Sequence, residues 1–335
     1  MNLNTALQIV SASVLANRKL NGRTSQYTTP MLWGTAGCGK TTGVESVADG
    51  LGIDCRVVIL AQYDAGELGG FPVLQDGEMH RARPAFLPTE GEGILFLDEL
   101  PQAPVANQNI AAQLVNERRI GEHKLGDGWS IVCAGNDLKH RAGTNAMPSH
   151  LKDRLLHLEV EPSLDDTLEY FNAKGVDPIV CGFLRFSADQ LSVFDKDAKA
   201  CPSPRSWEKI SNILSWGLPR AAESQAFAGQ VGAGAGAKFE AFLQMYRELP
   251  NPEQPLTDPM NAPVPEKASI LYALLAGISA RVNDKNADNF LRYVDRIPQG
   301  EFGAFAVKSA KQRYPEINRA PAFKAWAVKN HTLLL

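Results

Sequence analysis

The sequence predicts an α/β fold: a parallel-sheet, phosphate-loop domain followed by an all-helical lid and a helical C-terminal region. Three observations predict it. Gly34-Thr35-Ala36-Gly37-Cys38-Gly39-Lys40-Thr41 is a complete G-x-x-x-x-G-K-[ST] run, and such a loop wraps phosphate by turning backbone N–H groups inward, which glycine torsions permit. Short apolar strands alternate with helical patterns as far as Val160, as in a parallel sheet covered on both faces. From Glu161-Pro162 onward only helical patterns remain.

In chain order, residues 6–20 place Leu7, Val10, Val14 and Leu15 at helical spacing, a leading amphipathic helix. Asn21-Gly22-Arg23-Thr24 turns the chain into a short buried strand, Pro30 to Trp33, which feeds the phosphate loop. Behind the loop, residues 42–51 put Val44, Val47, Ala48 and Leu51 on one helical face, and that helix's dipole would point at the phosphates. Residues 56–60 read as a buried strand. Asp64 and Glu67 form a capping box for a short helix, broken at Gly69-Gly70-Phe71. Asp76-Gly77 marks a hairpin within residues 72–83.

Residues 94–97 form an apolar strand that ends in Asp98-Glu99. A helix over residues 104–118 follows, then a second expected hairpin over 124–130, turning near Gly126-Asp127. The apolar strand 131–134 ends at Gly135-Asn136, and a helix over 149–154 precedes a last strand, 155–160. The expected domains are 1–161 for the sheet domain, 162–249 for the lid, 250–265 for an exposed Pro-rich connection and 266–335 for the C-terminal helices.

Composition sets bounds. The chain has 335 residues, 44% hydrophobic and 21% charged, with a net charge of −3; that is ordinary for a globular protein with a sizeable core. This balance demands neither nucleic acid nor an anionic membrane. The five cysteines show no C-x-x-C or metal spacing, which favours a reduced compartment. No apolar run spans a bilayer and no signal-peptide pattern opens the chain, so the expected location is cytoplasmic, with no membrane partner.

The chemistry gathers at strand ends. Open α/β sheets place ligands beyond the carboxyl ends of their strands. Lys40 would reach the β- and γ-phosphates of a nucleotide, and Thr41 with Asp98 would hold Mg²⁺. Glu99 would polarise a water for attack on the γ-phosphate. Asn136 could orient that water, although Gly-Asn-Asp is also turn chemistry. Arg154 is either a helix-end cation or a group reaching a nucleotide held by a neighbouring subunit. Arg205 falls in a first helical turn behind Ser203 and Pro204; a cation opposes the dipole there, so a phosphate partner is attractive.

Taken in order, this set resembles an AAA+ ATPase: phosphate loop, Leu97-Asp98-Glu99, Asn136 after a strand, Asp153-Arg154, then Pro204-Arg205 in a helical lid. More narrowly it resembles the MoxR branch. The two hairpin signals sit where that branch carries its inserts, and Pro84-Ala85-Phe86-Leu87-Pro88 and Ser203-Pro204-Arg205 are similar to its segments. The resemblance covers roughly residues 25–220; Ala36 stands where the branch usually has proline.

The resemblance implies roles. Gly34 to Thr42 would cradle ATP, with Lys40 and Thr41 as the Walker A pair and Asp98 and Glu99 as the Walker B pair. Asn136 would be sensor 1, Arg154 the arginine finger and Arg205 sensor 2. Phe71 is a candidate pore-loop residue or a core aromatic, and Arg118 and Arg119 read as a solvated face. The implied function is ATP hydrolysis with Mg²⁺ at the subunit boundaries of a ring, with a hexamer favoured. Motion of the lid would remodel a partner protein, often one with a von Willebrand factor A domain. Two alternatives are a nucleotide-gated interaction module with slow hydrolysis, which Glu99 argues against, and a nucleic-acid motor or loader. Near-neutral charge and the lack of a DNA-binding motif argue against the latter. A small-molecule phosphotransferase would leave Asp98-Glu99 and the two late arginines unexplained.

Overall fold

The computed structural model describes residues 1–20, 26–136, 145–195, 197–248 and 253–330. The turn expected at residues 21–24 and the last three leucines lie outside them. The chain divides into two units, Met1–Ser163 and Leu164–Leu335.

The first unit runs α1 (Leu3–Arg18), β1 (Thr29–Trp33), α2 (Lys40–Leu51), β2 (Asp54–Ile59), α3 (Ala65–Gly69), β3 (Pro72–Gln75), β4 (Glu78–Arg81), β5 (Gly93–Asp98), α4 (Val105–Glu117), β6 (Arg119–Ile120), β7 (His123–Lys124), β8 (Trp129–Gly135), α5 (Ser149–Lys152) and β9 (Leu155–Glu159). Five strands form one parallel sheet in the order β2-β5-β8-β1-β9.

Alternate side chains of each central strand go to opposite faces. Leu32, Ile94, Phe96, Val132 and Ala134 pack with Val10, Val14 and Val44 of α1 and α2. Met31, Leu95, Leu97, Ile131 and Cys133 pack with Ala111, Leu114 and Val115 of α4. Both faces are covered, which is why these strands read as unbroken apolar runs.

Two readings of the elements change. Residues 54–59 form an edge strand, paired among the described residues to β5 alone, and in it Val58 is the fully buried residue; an edge leaves half its surface to solvent. In α1 the buried stripe is Ala6, Val10, Ser13, Val14 and Asn17, while Leu15 faces outward.

The first hairpin forms as expected. Asp76 and Gly77 have φ +52° and +83°, the pair of left-handed residues a two-residue I′ turn requires. The second hairpin forms elsewhere. It pairs Arg119–Ile120 with His123–Lys124, so Gly121 and Glu122 make the turn and Trp129 already belongs to β8. A turn does form over Gly126–Trp129, where Trp129 N–H donates to Gly126 O at 3.1 Å, but it closes no hairpin: Leu125 N–H donates to Arg118 O and Gly126 N–H to Pro88 O. Asp64 accepts from Glu67 N–H and Glu67 accepts from Asp64 N–H, completing the capping box of α3.

The second unit is helical among the described residues: α6 (Leu164–Lys174), α7 (Pro178–Phe186), α8 (Pro204–Leu214), α9 (Arg220–Val231), α10 (Ala233–Arg247), α11 (Gln254–Thr257), α12 (Ala268–Ser279), α13 (Ala287–Asp295), α14 (Gly300–Arg313) and α15 (Pro321–Lys329). One buried cluster joins Phe183, Trp207, Phe227 and Phe239. A second joins Leu275, Phe290, Tyr293, Phe305 and Trp326.

The stretch expected as an exposed connection is anchored, apart from residues 250–252, which lie outside the described set. Leu256 and Ala262 are buried in the second cluster, Tyr293 Oη donates to Pro263 O and Arg296 Nη1 to Ala262 O. Proline density marks the absence of regular hydrogen bonding, not exposure. Among the described residues no helix is long and apolar enough to cross a membrane.

Candidate functional site

The site is built at the carboxyl edge of the sheet, where β1, β5 and β8 end together: Trp33 pairs with Gly135 and Leu97 with Cys133. Beyond Trp33 the chain enters the glycine-rich loop. Gly37 and Gly39 have φ +78° and +90°, torsions open to glycine at little cost. Gly34 is needed for space: a Cβ there would stand 2.9 Å from Val160 O and 3.1 Å from Cys38 Sγ.

Gly39 caps α2 with no side-chain bond. The first-turn N–H groups of a twelve-residue helix thus face the loop, a ready anion site. Lys40 is buried, and its Nζ donates to Gly34 O at 2.9 Å and Thr35 O at 3.0 Å. These bonds wrap the loop around the ammonium. Thr35 Oγ1 is buried in the loop with no hydrogen-bond partner, a polar atom that a phosphate oxygen would satisfy.

The carboxylates stand beside it. Thr41 Oγ1 donates to Asp98 Oδ2 at 2.8 Å. Asp98 Oδ1 accepts the Glu99 N–H at 2.8 Å. Mg²⁺ takes hard oxygen donors, commonly one or two carboxylates together with phosphates and waters. A hydroxyl and a carboxylate in contact at the mouth of a phosphate loop fit that ion. Glu99 is exposed and left-handed, with φ +55°, so the chain turns sharply away from the strand direction. Asn136 follows Gly135 at this same edge and is half-buried.

Arg154 lies elsewhere in the first unit, and Arg205 belongs to the second. Arg154 directly precedes β9, and Leu155 pairs with Thr29 at the start of β1. It therefore sits at the opposite edge of the sheet, about 15 Å of strand from the loop at ~3.3 Å per residue. Its Nε donates to Asn116 Oδ1 at 2.8 Å and its Nη1 to His150 O. It is not in a helix, since α5 ends at Lys152, but it does satisfy a carbonyl of that helix. Arg205 is exposed in the first turn of α8 in the second unit, where Ser203 caps the helix by accepting from Ser206 N–H.

Phe71 is exposed and not a core aromatic. Arg119 pairs with Glu117 at the surface. Arg118 is a correction: it is buried, its Nη2 donates to Gly126 O at 2.9 Å and Trp129 O at 2.6 Å, and its guanidinium lies over the Tyr27 ring. Burial pushes its pKa down.

Sequence reading also missed Asn145, whose Nδ2 and backbone N–H hold the turn after Glu99. Its one signal was an asparagine shortly after Asn136 in a Gly-Thr-Asn run, which by itself reads as a turn.

No family model matches the chain, and no curated protein sequence matches it significantly. Among solved structures the chain is similar to the Holliday junction branch migration motor RuvB of Thermotoga maritima, at 13% identity over 98% of this chain and 88% of that one, with a TM-score of 0.38. It is also similar to NtrX from Brucella abortus, at 14% identity over 97% of this chain and 68% of that one, with a TM-score of 0.32.

Proposed function

We propose that the chain is a Mg²⁺-dependent ATP hydrolase of AAA+ type and of the MoxR branch, working as a ring that remodels a partner protein. The observation that carries the ATPase reading is the Thr41–Asp98 hydrogen bond at 2.8 Å, with the buried Lys40 in the same loop and Glu99 next in the chain. Gly34 to Thr42 and the start of α2 cradle the phosphates. Lys40 supplies a point charge to the transferred group. Mg²⁺, when bound, neutralises developing charge on the phosphate oxygens. Glu99 accepts the proton of the attacking water, and Asn136 orients that water.

The ring reading rests on Arg154. A guanidinium at the far edge of its own sheet is badly placed to serve its own loop and suits a nucleotide bound next door. The MoxR assignment, the hexamer and a von Willebrand factor A partner rest on the sequence resemblance alone.

The test is phosphate release by the wild type and Glu99→Gln, with particle mass measured by light scattering with and without ATP. Glu99→Gln should bind ATP, assemble and stall, with turnover lower by on the order of 10²–10⁴. Wild-type turnover in this variant would show Glu99 to be a surface carboxylate.

A further inference from the structure

We propose that Asn145 is a positioning residue that clamps the turn carrying Glu99; its catalytic consequence rests on the ATPase reading above. Residues 99–103 leave β5 with Glu99 in the left-handed region, a conformation unfavourable to any residue with a Cβ. The Gln102 and Ala103 N–H groups donate back to Glu99 O at 3.0 and 3.1 Å. The turn is thus closed on itself, but its aim depends on what holds it from outside.

The side-chain amides of Asn145 and Gln108 and the Asn145 backbone N–H hold it. Asn145 N–H donates to Pro101 O at 2.7 Å. Asn145 Nδ2 donates to Ala103 O at 2.9 Å. The fully buried Gln108 Nε2 donates to the same oxygen at 3.0 Å. Two amides therefore fill both lone pairs of Ala103 O, and Asn145 grips the turn at two points.

The turn also rests on the strand beside it. A Cβ on Gly135 would stand 2.2 Å from Pro101 Cδ and 2.5 Å from its Cγ, and Gly135 O accepts the Gly34 N–H at 3.2 Å. Phosphate loop, end of β8 and Glu99 turn form one contiguous structure, and Asn145 closes it from the outside. The same stretch of chain runs on through α5 to Arg154, so Asn145 ties the turn after Glu99 to the segment that carries Arg154.

A side chain that donates is required at this position. Asn145→Asp removes the donor and sets carboxylate oxygens against Ala103 O, so it should be at least as damaging as Asn145→Ala. Asn145 itself is exposed, so replacing it removes little buried surface.

The experiment combines amide hydrogen exchange with steady-state hydrolysis on the wild type, Asn145→Ala and Asn145→Asp. Exchange at Gln102 and Ala103 should rise about five- to tenfold in both variants, the loss of one hydrogen bond, with no change in the sheet. The kcat should fall roughly 10- to 100-fold, as expected of a misplaced catalytic group, while KM and nucleotide affinity hold. Gly135→Ala, which pushes Pro101 from the other side, should reproduce the kcat loss. Unchanged exchange at residues 99–103 would overturn the clamp whatever the hydrolysis data show. Raised exchange with unchanged kcat would overturn the positioning role. A wild type that binds ATP without hydrolysing it would refute the ATPase reading, and exchange would still decide the clamp.

Discussion

Thr41 Oγ1 donates to Asp98 Oδ2 at 2.8 Å, joining the first turn of α2 to the end of β5 although 57 residues separate them in the chain. The adjacent strands β1, β8 and β5 set that distance. The pair brings a hydroxyl and a carboxylate to one point beside the buried Lys40.

Asp98→Asn keeps the shape of the side chain and its place beside Thr41 but removes the charge that would hold Mg²⁺. A metal ion supplies several kcal/mol of charge stabilisation, so turnover should drop on the order of 10²-fold or more. Chelating Mg²⁺ from the wild type should have the same effect. Phosphate release against Mg²⁺ concentration checks both, and metal-independent turnover would remove Asp98 from the site.

Arg154 distinguishes a shared site from a self-contained one. An arginine finger is worth on the order of 10³–10⁵ in rate. Arg154→Ala should bind ATP normally, since its loop is intact, and hydrolyse poorly. Lys40→Ala should lose tight binding, which calorimetry would read directly. Mixing the two should restore activity, because an intact loop then meets an intact Arg154. A mixture that stays inactive would point to action within one chain, and normal turnover in the single variant to a helix-end role.

Arg118 is structural. Arg118→Met would take the guanidinium donor from Trp129 O, leave Gly126 O with the Trp129 N–H alone, and remove the cation over Tyr27. An unmade buried hydrogen bond costs about 1–3 kcal/mol, so urea unfolding should show a loss of about 1–3 kcal/mol. A midpoint unchanged from the wild type would show that water replaces the guanidinium without penalty.

Cys55 gives a pH dependence. Burial, and then the nearby Glu45 and Asp49 carboxylates, push its thiol up to about 11 from 9.0. The folded protein therefore favours the neutral thiol. Protons are held more tightly in the folded than in the unfolded chain, so this contribution to stability is fully present below pH 9 and is lost as pH rises through about 11. In the native protein, alkylation of Cys55 by iodoacetamide should keep accelerating towards pH 11, whereas in urea it should level off above pH 9. Identical profiles would mean that the thiol is not shielded.

The parts of the protein read correctly from sequence are those whose cause is local. A G-x-x-x-x-G-K-T run dictates its loop because glycine torsions and helix N–H groups are properties of adjacent residues. The capping box at Asp64 and Glu67, the I′ turn at Asp76-Gly77 and the Ser203 cap are local in the same way. So are the central strands, since a strand buried on both faces must be apolar throughout.

Other features depend on which distant groups meet. Residues 56–60 are as apolar in pattern as a central strand, and strand order makes their element an edge. Arg118 looks like a surface cation until Gly126 and the start of β8 supply buried carbonyls for its guanidinium. Gly126-Asp127 carries turn chemistry and does turn, but Pro88 and Arg118 bond Gly126 and Leu125 and the hairpin closes at Gly121-Glu122. Asn145 acquires its partners when β8 and β5 bring their ends together. Residue order dictates the chemical groups and the strand ends that carry them. Sheet order makes Lys40, Thr41 and Asp98 converge at one edge while Arg154 stands at the other, because parallel strands put their beginnings and their ends on opposite sides.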